Sequence, residues 1–93
     1  MAHEAAITIP EHVLSESLNE ETVLLDMSSG QYFGLSPVAS RLWQLLGQGM
    51  SLEQAQVVLL DEFEVAAEVL RADVEDLIAQ LASKKLIEQK AQG

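Results

Sequence analysis

Cysteine is absent from this chain of 93 residues. That removes disulfide staples, thiolate nucleophiles and zinc–thiolate sites together. Bases are scarce: five Lys and Arg stand against fifteen Asp and Glu, a formal charge of −10. This balance repels nucleic acid and anionic lipid, whose binding rewards clustered Lys and Arg. It admits two readings, plain solubility and attraction to a basic partner surface. Long hydrophobic runs are missing too; the longest, Val57 to Leu60, is far too short to span a bilayer. The opening Met1-Ala2-His3-Glu4-Ala5-Ala6 lacks the basic region and apolar stretch of a signal peptide. The sequence therefore predicts a soluble, cytoplasmic protein with neither membrane nor nucleic-acid partner. With no repeat, low-complexity tract or linker, the length suits a single domain over residues 1–93.

Catalytic sets are missing as well. His3 and His12 are isolated near the N-terminus, without helical i,i+4 pairing, so no metal site is expected. Asp61, Glu62 and Glu64 are neighbouring acids at a helix end, not a pair held in a cleft. No Gly-rich phosphate loop and no Ser-His-Asp spacing can be argued. The expectation is a protein that is not an enzyme, with no catalytic residues and no cofactor.

What the chain does have is 48% apolar residues, enough for a real core. Residues 5–18 hold short alternations, Ile7 with Ile9 and then Val13 with Leu14, broken by Pro10; they predict one or two short strands. Thr22 to Met27 is β-branched and apolar, as in a strand buried on at least one face. Ser28-Ser29-Gly30 is a turn signal, and Gln31 to Leu35 returns as a second strand, closing a hairpin. Ser36-Pro37 starts a helix, the Ser as cap and the Pro at the first helical position. Val38, Leu42, Leu45 and Leu46 follow at helical spacing, and Gly47 with Gly49 ends the run. Ser51-Leu52-Glu53-Gln54 is a capping-box pattern for a second helix, with Ala55, Val58, Leu59 and Phe63 on its buried side. The third helix, about residues 66–82, has Leu70, Val74, Leu77, Ile78 and Leu81 within an arc of roughly 100°. The fold class predicted is α+β and winged-helix-like: a three-stranded antiparallel sheet followed by three helices.

Several of these pieces resemble a known family. They are Leu24-Leu25-Asp26, the run Ser29-Gly30-Gln31-Tyr32-Phe33-Gly34-Leu35, the helix from Ser36-Pro37 through Leu42-Trp43, and Ala72-Asp73-Val74 before Leu77 and Leu81. Together they resemble the PqqD-like family, and within it the stand-alone leader-binding proteins of lasso-peptide gene clusters. The likeness covers about residues 7–88, and its specificity lies in the order and spacing of the pieces. The founding member, which serves pyrroloquinoline quinone synthesis, lacks a matching aromatic-aromatic-Gly-Leu strand, which favours the lasso-type branch. The resemblance implies a RiPP recognition element, a non-catalytic domain that binds the leader of a ribosomally made precursor peptide. In such domains the leader adds as a strand to the edge of the third strand and lies against the last helix. The partners implied are the precursor leader, a separate leader peptidase of cysteine-protease type, and an ATP-dependent cyclase. Two departures, a poorly marked first strand and the uncapped Val65-Ala66-Ala67 entry to the third helix, leave those boundaries open.

Strand addition needs an exposed edge and pockets for alternate side chains of the guest. The expected peptide-binding residues on the strand are Gln31, Tyr32, Phe33, Gly34 and Leu35. Alternation sends Gln31, Phe33 and Leu35 to one face and Tyr32 with Gly34 to the other, so one aromatic belongs to the core and the other is free. Ordinary hairpin packing of both rings is the competing reading, as is a bulge for Gly34. On the third helix, Val69, Asp73, Asp76 and Gln80 form a flank roughly 115° from the core stripe. Either they contact the leader or they make a solvated acidic face. Arg71 and Glu75 on the other flank read as ordinary surface, and Trp43 as core. Two other functions share the pattern: an acidic winged-helix regulator that binds protein, and a peptide chaperone of pyrroloquinoline quinone synthesis. Direct DNA binding is disfavoured, since the hairpin 22–35 holds no base and the third helix one Arg.

Overall fold

The computed structural model describes residues 6–90. Its elements run β1 (Ala6–Thr8), β2 (Val13–Leu18), β3 (Glu21–Asp26), β4 (Gln31–Leu35), α1 (Pro37–Gly47), α2 (Leu52–Glu62), α3 (Ala67–Ser83) and β5 (Glu88–Lys90). Strands β2, β3 and β4 form an antiparallel sheet in that order, and the three helices follow it. The expected fold class is found. One feature was not foreseen: β1 does not join this sheet but pairs antiparallel with β5, Ile7 opposite Gln89. The segment after Leu86 and Ile87 thus closes the domain as a strand.

Tight turns set the sheet's register. Between β2 and β3 the chain reverses through Asn19 at φ 59°, a left-handed position that Asn tolerates. Between β3 and β4, Gly30 lies at φ 75° and its N–H donates to the Asp26 carbonyl at 2.7 Å. Asp26 then faces Gln31, Leu24 faces Phe33 and Thr22 faces Leu35. Period-2 alternation turns Val13, Leu24 and Leu35 into the core and leaves Leu14, Val23, Leu25 and Tyr32 on the outer face. Buried Thr22 is not left unpaired, for its hydroxyl lies 3.3 Å from that of Ser17.

The helices begin where their caps place them. The Ser36 hydroxyl accepts from the Ala39 N–H at 3.2 Å, and Pro37 occupies the first turn. Ser51 and Gln54 make the full reciprocal capping box. At α3 no side chain caps Ala66, as the open sequence boundary suggested. Leu42, Trp43, Leu45 and Leu46 of α1 pack with Ala55 and Leu59 of α2 and with Leu70, Val74, Ile78 and Leu81 of α3. Arg41 clasps Glu62 with two hydrogen bonds of 2.8 and 2.9 Å, tying α1 to the end of α2. These bonds hold the Glu62 carboxyl below its ordinary pKa, but a pair this open to solvent adds little stability.

Helix α3 ends in a Schellman arrangement, Leu86 N–H to Leu81 carbonyl at 2.9 Å and Lys85 N–H to Ala82 carbonyl at 3.0 Å. Lys85 takes the left-handed position at φ 62°, where glycine is the usual occupant. Lys85→Gly should therefore raise stability by about 0.5–1 kcal/mol, the left-handed cost less glycine's extra chain entropy. Denaturant unfolding of the two proteins measures this directly.

Candidate functional site

Among the described residues strand β4 pairs with β3 on one side only, so every second residue presents N–H and C=O groups at a free edge. Two clefts lie near it, one bordered by the strand and one beyond its end. The larger, about 290 Å³, opens between the start of α1 and helix α3 and is walled by Val38, Leu42, Leu70, Val74 and Leu77, with Asp73 on its rim. The smaller, about 40 Å³, lies between Gln31, Tyr32 and Phe33 on the strand, with Asp26 beside them, and Lys84 and Leu86 past the end of α3. Since the C-terminal end of α3 meets the start of β4, the helix runs antiparallel to the strand. The strand itself borders the small cleft, and the apolar cleft opens just beyond the strand's end, at Ser36; the two together are the groove.

The strand residues divide by face. Phe33 is half-buried against the core, and the Lys84 ammonium stands 5.7 Å from its ring centroid. Leu35 is fully in the core, so only its backbone can meet a guest. Gln31 is exposed at the groove's end. Tyr32 points the other way and is 73% exposed, on the outer face of the sheet. Gly34 shares that face, and a side chain there would meet nothing within 4 Å. It leaves the outer surface open.

On α3, Asp73 lines the large cleft; Gln80 and Lys84 lie about 20° to either side of it on the helical wheel. Val69, 52% exposed, and Asp76 are turned roughly 40–60° further from the core; Val69, Asp76 and Gln80 line neither cleft. Two groove residues escaped the sequence reading. Leu77 was assigned to the core stripe, yet it is only half-buried and walls the cleft; its place at the stripe's edge was the available signal. Lys84 carries no site signal in the sequence, although it lies three turns beyond Asp73 on the same line.

The turn that holds β4 is fastened by Asp26. Its carboxylate accepts from the Ser28 hydroxyl at 2.7 Å and the Ser28 N–H at 2.9 Å, and His12 stands 3.9 Å away. The Ser28 side chain chiefly, then its backbone N–H, holds the Asp26 carboxyl below its ordinary pKa. A lowered folded pKa gives stability that is complete above the ordinary Asp value and lost as pH falls through the folded one. The Ser28 and Gly30 amide shifts should therefore titrate below about pH 4. Asp26→Asn, which keeps an acceptor for the Ser28 N–H, should abolish that titration.

A second apolar surface covers the outer face. Leu14, Leu25 and Tyr32 stand in one cross-strand row; Val23 and Leu18, the latter 62% exposed, extend it. Soluble sheets usually set polar residues there, so this patch suits a partner.

The family described as Coenzyme PQQ synthesis protein D (PqqD) matches residues 21–87, well over half of the chain and including both groove walls. The chain belongs to the PqqD family. Among solved structures, this PqqD-family chain is similar to TbiB1 in complex with the TbiA(beta) leader peptide. The two are 36% identical, over 87% of this chain and 94% of that one, with a TM-score of 0.81. It also shares the fold of a lasso peptide synthetase B1 complexed with the leader peptide, at 24% identity over 89% of this chain and 98% of that one, TM-score 0.80. A search among proteins of curated function finds no match. Among the described residues no helix is long and apolar enough to cross a membrane.

Proposed function

We propose that this PqqD-family chain is a RiPP recognition element, one non-catalytic domain that captures the leader of a ribosomal precursor peptide. The leader adds as a strand to the free edge of β4 and sets alternate side chains into the clefts beside α3. The observation that carries this reading is the free β4 edge, with one cleft beside it and an apolar cleft just beyond its end, in a chain 36% identical to a protein whose structure holds a leader peptide. Strand addition supplies main-chain bonds for affinity, and the clefts supply selectivity.

The setting proposed is cytoplasmic lasso-peptide biosynthesis. The bound leader is delivered to a leader peptidase of cysteine-protease type, and the precursor passes on to an ATP-dependent cyclase. The outer face around Leu25 and Tyr32 supports a second protein partner: it lies opposite the groove and stays open while a leader is bound. A role as peptide chaperone in pyrroloquinoline quinone synthesis is the alternative, favoured by the description of the matching family.

Titration with the synthetic leader of the neighbouring precursor gene tests the reading. Binding at micromolar Kd or tighter is expected, about 8 kcal/mol. Hydrogen-exchange protection should appear on alternate amides of Gln31 to Leu35, because only every second N–H faces the new strand. Protection gathered instead on α2 would move the site, and precursor turnover by this chain alone would refute a non-catalytic role.

A further inference from the structure

The groove carries opposite charges at its two ends. Asp73 stands on the rim of the large cleft, beside Ser36 and Val38, where β4 runs into α1. Lys84 stands in the small cleft, beside Gln31 and Phe33, where β4 begins. Among the described residues lining these clefts Lys84 is the only base, and Asp73 the only acid of the larger one. Asp26 also borders the small cleft, but its carboxylate is occupied by the Ser28 N–H and hydroxyl. Asp76, less than one turn beyond Asp73, is turned away from both clefts, and Arg71 lies on the opposite flank of the helix. A lysine at a helix C-terminus ordinarily serves the helix dipole. This one has its ammonium over the Phe33 ring, inside the groove.

We infer that the groove reads the direction and register of its guest by charge. The eleven residues from Asp73 to Lys84 span about 16 Å of helix, which is about five residues of extended chain. Only alternate side chains of a strand face α3, so the matching pair is about four or six residues apart. The sheet is antiparallel throughout, and a guest that continues it passes Asp73 first and Lys84 second. The preferred peptide thus carries a cationic side chain four to six residues before an anionic one. Entry in the reverse direction sets like charges against each other at both ends. This rests on the strand-addition reading and goes beyond it, since backbone pairing and apolar pockets alone are indifferent to charge order.

Selection of random dodecapeptides by mRNA display against the full chain at low salt provides the test, repeated with the Asp73→Lys/Lys84→Glu double variant. Wild type should enrich cation-before-anion peptides at this spacing, and the variant the reverse order. Resynthesised winners with their two charges exchanged should bind wild type about three- to tenfold more weakly, the gap closing at high salt. Enriched peptides that protect β4 amides but show no charge order overturn the inference and leave strand addition standing. A charge order unchanged in the variant also overturns it, since Asp73 and Lys84 are then not its source. No enrichment by wild type removes both readings. If the variant does not fold, the wild-type selection and the charge-exchanged peptides decide alone.

Discussion

Phe33→Ala is expected to lower stability by about 2–4 kcal/mol and leader affinity along with it, while Tyr32→Ala changes neither appreciably. The two rings are neighbours in sequence and opposites in environment. Phe33 packs against the core and floors the groove beneath Lys84; truncation forfeits transfer energy and leaves a cavity, somewhat below the 3–5 kcal/mol of a fully buried Phe. Tyr32 is 73% exposed on the outer face, where removal of a solvated ring costs little. Its loss should instead weaken the peptidase partnership proposed for that face. Denaturant unfolding, leader titration and peptidase pull-down of both variants separate these outcomes. Equal destabilisation by both, with binding intact per folded molecule, would show that neither ring serves a partner.

The second large effect belongs to Leu77. Leu77→Lys should reduce leader affinity at least tenfold, about 1.4 kcal/mol or more, at little cost in stability. The side chain is half-buried at the lip of the large cleft, so a lysine can extend its stem along the wall and keep its charge in water. In that position it occupies the volume meant for an apolar side chain of the guest. Val69→Lys, on the exposed shoulder of the same helix, should bind leader like wild type. Calorimetric titration of the two variants, each checked by its melting curve, measures the contrast. Equal affinities would place the leader away from α3.

What the sequence determined by itself was whatever depends on neighbours along the chain. Ser36-Pro37 and the Ser51–Gln54 box fixed two helix starts because caps act within one turn. Gly30 marked the hairpin, the strand period put Tyr32 and Phe33 on opposite faces, and the helical period gave α3 its buried stripe. The ordered set from Leu24 to Leu81 also carried the family signature. Tertiary structure decided the rest. Alternation does not say which face of a hairpin is inner; the helices packed against β3 and β4 settled that Phe33 faces the core. The pairing of β1 with β5 joins segments 80 residues apart and only three residues long, too short to show a period. Leu77 and Lys84 became groove residues because the strand and the last helix stay far enough apart to leave a cleft. That separation is set by the core packed beneath them, through contacts between elements that no local pattern in the chain records.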